Sequence, residues 1–217
     1  MLDAYGGSER LSRITGYRLK ASLEAHASGA RARTSRSFSR PDRLRVEIRY
    51  PDRTEVRVLD GSQGWRGLDS SPLKAAAGPM LTSMAAQAAR ANVPWLLDEN
   101  RESVTTTDPF ELDGRELTGL ELVLRDGLVF RAYLDPETHL VLRTTSEVKV
   151  GPAEILFETH FADFQDVDGV LFAFKEDNFV SGTHTSTTLI EAVELDPDFT
   201  PGEFTPSRKR TARARPR

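Results

Sequence analysis

Apolar and polar side chains alternate along most of this chain, most clearly over residues 40–65, RPDRLRVEIRYPDRTEVRVLDGSQGW. A period of two is typical of strands that are buried on one face, and the central YPDR sequence supplies turn-forming residues. The segment therefore predicts two antiparallel strands joined by a tight turn. Their apolar positions are Val46, Ile48 and Tyr50 in the first strand and Val56 and Val58 in the second.

The same alternation extends on both sides of this hairpin. Residues 17–25 predict an earlier strand, and residues 31–40 predict a returning strand in which arginine alternates with serine, so we expect it to be sparsely buried. Over residues 116–195 strands follow in series, separated by turns such as the Asp-Gly pair at 168–169, which readily adopts the type I′ conformation. Strands do not alternate with helices, which indicates a mainly β (α+β) protein with an antiparallel sheet of about ten to eleven strands.

Two segments depart from the strand pattern. Residues 3–13 predict a short N-terminal helix capped by Ser8. Residues 72–97 are rich in alanine, methionine and leucine, which predicts a helical insert of one or two helices that end before Pro94. The insert either simply covers one face of the sheet or acts as a lid over an apolar concavity, for which adaptable methionines are suited. Its apolar residues at helical spacing include Met80, Leu81 and Met84.

The two tryptophans flank this insert. Trp65 follows the Asp-Gly turn at 60–61, and Trp95 follows Pro94. A buried indole fills a large volume and offers one N–H donor. Each tryptophan is therefore either a core residue or a wall of a ligand pocket.

Composition agrees with a folded domain and excludes several classes of protein. The 217 residues are 38% hydrophobic and 29% charged, and they contain no stretch of about 18 uncharged apolar residues that would cross a bilayer. Cysteine is absent, which excludes disulfides, thiol catalysis and cysteine-bound zinc. The first residues lack the basic and apolar regions of a signal peptide, so we expect either that such a peptide was removed or that the protein stays in the cytoplasm.

The formal charge of −4 hides a strong segregation of charge. Residues 1–60 carry 13 basic and 8 acidic side chains, whereas residues 61–207 carry 10 basic and 25 acidic ones. Six of the last ten residues are basic and none is acidic, which predicts a disordered basic tail over residues 207–217. That tail is either simply solvated or binds an anionic surface. It has no aromatic residue that would stack on bases, so we expect no specific nucleic-acid binding.

No group of residues points to catalysis or to metal binding. The histidines lie far apart in the sequence, and none has the spacing of metal ligands. Nucleophile elbows, phosphate-binding loops and dinucleotide fingerprints are absent as well. We therefore predict no catalytic residue, no metal and no cofactor. We interpret the four histidines as ordinary strand or turn residues; they are His26, His139, His160 and His184.

Several short motifs occur in a recognisable order. They are the Gly-Gly pair at 6–7, RPD at 40–42, LDG at 59–61 before Trp65, the helical insert, LDPET at 134–138, FQDVDGV at 164–170 and the segment 195–206. This order resembles that of the LolA/LolB-like superfamily of periplasmic lipoprotein carriers and outer-membrane lipoprotein-sorting proteins. Each motif is short, so the resemblance depends on their order along residues 3–206.

The resemblance implies an incomplete antiparallel barrel that forms one domain over residues 1–206, with the insert as a lid over its concave face. It implies a non-catalytic periplasmic carrier that holds a lipid, or the acyl chains of a lipoprotein, for transport to the outer membrane. An inner-membrane donor complex and an outer-membrane acceptor would be its partners. In the family, the arginine of the Arg-Pro step hydrogen-bonds the closed lid, and Arg40 matches that residue here.

Alternation also suggests which side chains would contact an acyl chain. The predicted ligand-binding residues are Val46, Ile48, Val56, Val58, Trp65, Met80, Leu81, Met84, Leu120, Leu122, Phe130 and Phe157. The alternative is a sensor or interaction domain on the same scaffold, in which the cavity is a filled core and a protein partner binds the surface. A core packed solid by the insert would favour that alternative.

Overall fold

The computed structural model describes residues 1–69 and 71–206, which form one antiparallel sheet of 13 strands with short helices. The strands are β1 Gly16–Ala25, β2 Ala30–Ser39, β3 Arg43–Arg49, β4 Thr54–Asp60, β5 Gln63–Leu68, β6 Lys74–Ala76, β7 Thr105–Leu112, β8 Arg115–Val123, β9 Val129–Leu134, β10 Val141–Val150, β11 Ala153–Val167, β12 Val170–Val180 and β13 Thr183–Leu195. The helices are α1 Ser8–Arg13, α2 Pro79–Ala91 and α3 Trp95–Glu99, and single 3-10 turns cover Leu2–Tyr5 and Arg125–Gly127. The predicted mainly β, antiparallel fold class is confirmed.

The order of strands in the sheet follows the order of the chain in two series. Consecutive strands pair from β1 to β6 and from β7 to β13, and the two series join where β1 pairs with β13. As a result β6 and β7 are the outermost strands, at opposite edges of the sheet. The segment that carries α2 and α3 connects these two strands, so it crosses the sheet from one edge to the other.

The sheet curls around α2. This helix contacts β4 and β5 in one half of the sheet and β10 in the other, although six strands lie between β4 and β10. Only a strongly twisted and curved sheet brings such distant strands within reach of one helix. We call the side that faces α2 the concave face and the opposite side the convex face. The half-barrel with a helical insert is thereby confirmed.

The helical insert differs in detail from the prediction over residues 72–97. Its first part forms the short strand β6, and α2 begins only at Pro79, a residue favoured in the first turn of a helix. The prediction that helix ends before Pro94 is wrong, because α3 follows that proline directly. The count of about ten to eleven strands is also low, since β5, β6 and β7 were not predicted. β6 has only three residues, and the strand pattern of β7 is interrupted by Pro109 and by a register shift.

The N-terminal helix divides at the Gly-Gly pair. A 3-10 turn ends at Gly6, whose φ is 111°, and α1 is capped by Gly7 rather than by Ser8. A Cβ at Gly6 would lie 2.0 Å from the carbonyl oxygen of Gly169 in the turn between β11 and β12. Only glycine allows this close approach of two backbones. The N-terminus is therefore seated against the end of a hairpin that is distant in sequence.

The polar strand β2 is more buried than its sequence indicates. Residues 36–39 are all buried, which contradicts the expectation of sparse burial. Phe38 is fully enclosed, the Ser37 hydroxyl donates to Glu203 at 2.7 Å, and Arg36 is paired with a glutamate of β12. Polar residues are tolerated in such positions when each finds a partner.

Candidate functional site

The concave face forms a large apolar floor beneath α2. One hydrophobic cluster combines the concave side of β1–β3 with Met84 of the helix, and Met80 and Leu81 pack against it from the first turns of α2. Val46 and Ile48 belong to this cluster and are at most 8% exposed. These five predicted ligand-binding residues therefore lie together where the insert meets the sheet.

A second cluster continues the concave floor toward β8 and β9. Leu122 and Phe130 are buried in it, and Leu120 packs against its edge, together with residues of α2 and α3. Phe157 lies in the same cross-strand row, because Ser146 pairs with both Phe130 and Phe157. The four predicted residues of β8, β9 and β11 are thus on the concave side as well. Ligand binding by them stays a prediction.

Three other predicted residues lie on the convex face and do not share this floor. Val56 and Val58 pack with Phe204 and Phe199 of the C-terminal segment, and Trp65 packs against the same cluster. The register explains the separation, because Val46 of β3 pairs with Arg57, whereas Val58 pairs with Arg45. The prediction that Val56 and Val58 share one cavity with Val46 was therefore wrong. Alternation identifies two sets of residues in a strand, but it does not say which set faces which side.

The space left between α2 and the concave floor is small. A cavity of about 50 Å³ lies among aromatic side chains and three charged ones. One water occupies roughly 30 Å³ of liquid, whereas pockets for drug-sized ligands measure about 300 to 1,000 Å³. The end of α2 is thus packed closely against the floor. The aromatic and charged residues around this cavity are Tyr5, Tyr17, Phe161, Phe164, Phe172, Arg36, Arg90 and Glu176.

The charged residues of the cavity form one network between the sheet and α2. Arg36 of β2 donates both terminal nitrogens to Glu176 of β12, at 2.8 Å each. From α2, Arg90 Nη1 donates to Thr159 Oγ1 at 2.6 Å and to Asn178 Oδ1 at 2.7 Å. Its Nη2 lies 3.9 Å from Glu176 Oε2. Arg90 therefore attaches α2 to the floor, together with the Tyr17 hydroxyl, which donates to the Ala91 carbonyl at 2.9 Å.

Burial and mutual attraction set the ionisation of this network. Burial alone would raise the pKa of Glu176, but the charge and hydrogen bonds of Arg36, with a contribution from Arg90, lower it to about 2. Burial lowers the pKa of Arg90, because attraction to Glu176 compensates the lost hydration only in part and Arg36 repels it. Burial acts on Arg36 in the same direction, but Glu176 outweighs it and raises the pKa of Arg36. Two guanidinium groups thus share one carboxylate.

Arg40 connects the insert to the N-terminal helix. Its Nε donates to Glu99 of α3 at 3.0 Å, and its Nη1 donates to the Ile14 carbonyl at 2.8 Å. The guanidinium also lies 5.8 Å from the centre of the Trp95 ring, whose Nε1 donates to the Leu11 carbonyl at 2.9 Å. Arg40 therefore contacts the insert through α3 rather than α2. Control of a lid by Arg40 stays a prediction.

Three of the four histidines come together on the convex face, a grouping that was not predicted. The rings of His26 and His184 are 4.1 Å apart, and Phe179 stacks between His184 and His160 at 4.6 and 4.7 Å. His184 Nε2 also lies 3.4 Å from Asp177 Oδ1. Pairing of β1 with β13 and of β12 with β11 brings these distant positions together. Within residues 1–69 and 71–206, no group of three or more potential ligands is arranged to hold a metal ion.

The Arg36–Glu176–Arg90 network was also missed. Its members come from three distant parts of the chain, and each looks like an ordinary polar position in its own element. One signal was present, since Arg36 has the same parity in β2 as the buried Phe38.

None of the helices in the described part of the chain is long and apolar enough to cross a membrane. The basic tail predicted for 207–217 lies outside the described residues.

Sequence comparisons identify no relative of this chain. No protein-family profile matches it, and no curated protein matches it.

Comparison with solved structures does find the same architecture. A LolA superfamily protein from Nitrosomonas europaea superposes with a TM-score of 0.60 at 13% identity, over 89% of this chain and 91% of that one. An outer membrane lipoprotein-sorting protein domain from Vibrio parahaemolyticus gives 0.57 at 13% identity, over 90% and 93%. A DUF1329 family protein from Desulfovibrio piger gives 0.55 at 13% identity, over 90% and 92%. The resemblance read from the sequence is confirmed at the level of fold: this chain has the fold of the LolA superfamily.

Proposed function

We propose that this protein is a non-catalytic carrier that holds a lipid, or the acyl chains of a lipoprotein, between the concave floor and α2. The observation that carries the proposal is the pair of apolar clusters, one in each half of the half-barrel, that lie beneath one helix. One solved structure with this fold is named as an outer membrane lipoprotein-sorting protein domain. On that basis we propose that the chain works in the periplasm, on a route toward the outer membrane.

The way in which α2 is attached suits a removable cover. Its buried residues other than Met84 are alanines, so lifting the helix exposes little apolar area for each residue. Gly78, with φ of 55°, precedes the helix and provides a flexible joint. The helix fits closely near Gly64, where a Cβ would lie 2.8 Å from Leu81 Cδ1.

An acyl chain would compensate the cost of lifting α2. Each methylene transferred from water to an apolar site contributes about 0.8 kcal/mol, so a chain of ordinary length outweighs the loss of several alanine contacts.

A second function is favoured by the small size of the cavity. About 50 Å³ leaves α2 packed nearly solid against the floor, which is what an interaction or sensor domain with a filled core would show. In that case α2 stays in place, and a partner protein binds elsewhere on the surface. The two functions therefore differ in whether α2 must move.

A cross-linking experiment separates them. The chain has no cysteine, so Gly64→Cys combined with Leu81→Cys introduces a single reactive pair, which a short thiol-reactive reagent joins. For the carrier, the untreated double variant binds a fluorescent fatty acid and the cross-linked form does not. Equal binding by both forms, or binding by neither, would contradict a movable lid. Mass spectrometry of lipids extracted from natively purified wild-type protein then names the cargo.

A further inference from the structure

The cavity beneath α2 has an excess of positive charge. Its charged lining residues are Arg36, Arg90 and Glu176, two cations and one anion. Their side chains are 9%, 17% and 6% exposed, so solvent screens this excess only weakly. A structural ion pair would need one arginine, whereas two converge here on the same carboxylate. We propose that this cavity binds the anionic headgroup, a phosphate or a carboxylate, of an amphiphile whose acyl chain lies along the concave floor.

Unused hydrogen-bond donors support this assignment. Arg36 Nε and Arg90 Nε are both buried and have no hydrogen-bond partner; Arg143 Nε is unpaired as well, but it does not line the cavity. Arg90 Nη2 is 3.9 Å from Glu176, which is beyond hydrogen-bond distance. Buried donors without a partner destabilise the folded protein, and an anionic oxygen is the acceptor that they bind most strongly. Donors on two arginines would hold such a group between the sheet and α2.

The basic character continues along the concave face beyond the cavity. Arg36 is in one cross-strand row with Val46, Arg57 and Arg66, because each residue pairs with the next on the neighbouring strand. Arg66 lies under the start of α2, where its Nη1 is 3.8 Å from Met80 Sδ. Arg57 is 3.5 Å from its neighbour Glu55, the acidic residue on this part of the face. An anionic ligand that enters beneath α2 would meet a favourable potential along this row.

The other walls of the cavity indicate that the anion carries an apolar group. Phe161, Phe164 and Phe172 line it together with two tyrosines, and they lead into the apolar floor. A free inorganic anion would leave these walls in contact with water. An amphiphile satisfies both kinds of surface. At about 50 Å³ the cavity has room for one or two waters, so binding requires α2 to lift, and the inference in this respect rests on the proposed function.

The test compares ligands that share a chain and differ in headgroup. Dodecyl phosphate, dodecanoate and dodecyl maltoside are titrated below their critical micelle concentrations, with inorganic phosphate as a fourth probe. Trp95 serves as the reporter, because it packs against Tyr17 and Phe172 of the cavity wall at 6.5 and 6.3 Å. Trp65→Phe removes the other tryptophan of the chain, which lies on the convex face.

Arg90 is the residue to replace, since Arg36→Gln would leave Glu176 buried without its bidentate partner. In the wild type, dodecyl phosphate or dodecanoate should bind at least about tenfold more tightly than dodecyl maltoside, the effect of one charge-assisted hydrogen bond. Arg90→Gln should abolish that preference while leaving dodecyl maltoside binding in place. Arg90→Lys should retain part of it, and Arg101→Gln, at an exposed position, should leave it unchanged.

The outcomes separate this inference from the proposed function. Equal binding of all three amphiphiles would overturn the headgroup site and leave the carrier standing. Binding of none of them would contradict the carrier itself. If inorganic phosphate alone bound as tightly as dodecyl phosphate, the site would be one for a free anion, and the assignment to an amphiphile would be wrong. A preference that Arg90→Gln leaves intact would place the headgroup elsewhere.

Discussion

The two faces of the sheet each bury an arginine–glutamate pair, and the two pairs differ in their surroundings. On the concave face, Arg36 and Glu176 share their environment with a second arginine and an apolar cavity. On the convex face, Arg143 binds Glu158, and its guanidinium lies 3.7 Å from the centre of the Phe110 ring and 4.6 Å from that of Tyr133. The convex pair is enclosed by its own neighbours. Arg36 and Arg143 each keep a buried Nε without a hydrogen-bond partner, but the concave pair also has Arg90 beside it and borders a cavity.

This difference shows that two similar ion pairs can have different charge balances. Stacked rings replace part of the lost hydration of Arg143, and its charge is matched by Glu158. On the concave face Glu176 faces two arginines, so one positive charge is left over. A buried charge without a counter-charge is costly, and the proposed anionic headgroup would neutralise it.

The largest expected effect is that of Glu176→Gln. This change leaves Arg36 buried without a counter-charge, which should lower the free energy of unfolding by about 3 to 5 kcal/mol. Glu158→Gln on the convex face should cost only about 1 to 2 kcal/mol, because Arg143 keeps both aromatic rings. Urea unfolding of the two variants measures the difference. Equal losses would show that the surroundings of the two pairs do not matter.

A pH dependence follows from the same carboxylate. The pKa of Glu176 is lowered from 4.5 to about 2 by folding, so its stabilisation is complete above pH 4.5 and is lost as the pH falls toward 2. The depression corresponds to about 3 kcal/mol. The wild type should lose stability faster than Glu176→Gln across this window, as measured by urea unfolding at successive pH values. Parallel curves would mean that Glu176 does not titrate with a depressed pKa.

Arg40→Leu should have an intermediate effect. It removes the bonds to the Ile14 carbonyl and to Glu99, and the contact with the Trp95 ring, so we expect a loss of about 2 kcal/mol. If Arg40 holds the insert down, the variant should also take up and release a fluorescent fatty acid faster. Stopped-flow exchange measures these rates. A lower stability with unchanged exchange would limit Arg40 to a structural role.

The smallest effect is expected at the exposed convex pair of Arg33 and Glu191. Their side chains are 71% and 45% exposed, and pairs of this kind contribute little. Arg33→Gln should change the free energy of unfolding by less than about 0.5 kcal/mol and leave fatty-acid exchange unaltered. It is the control for Arg40→Leu, since both remove one arginine from the basic N-terminal part of the chain. A larger effect would mean that exposed charges organise the convex face.

The strands and turns of this fold were predictable because they depend on local patterns. The Asp-Gly pair at 168–169 has positive φ at both residues, as a type I′ turn requires, and it joins β11 to β12 as expected. The sequence does not determine which side chains of each strand point to the concave face and which to the convex face. In β4, Leu59 packs on the concave side and Val58 on the convex side, and both are buried. The choice between them depends on Phe199 and Phe204, more than 130 residues further along the chain.

The candidate site was unpredictable for a related reason. Arg36, Arg90 and Glu176 meet only because β2 and β12 face α2 across the curved sheet. No window of sequence contains more than one of them. An arginine in a strand normally indicates a position exposed to solvent. Arg36 is buried instead, because the curved sheet encloses it. The apolar floor was partly predictable, since nine of the twelve predicted residues lie on the concave side.

The course of the insert from β6 to β7 has a mechanical consequence. Because the insert is connected to both edge strands of an open sheet, it links the two series of strands mechanically. Displacement of α2 and separation of the sheet edges then become a single coordinate. In the proposed carrier, the stiffness of the sheet, in addition to the chemistry of the floor, would set how large a ligand fits beneath α2 and how readily the helix returns after release.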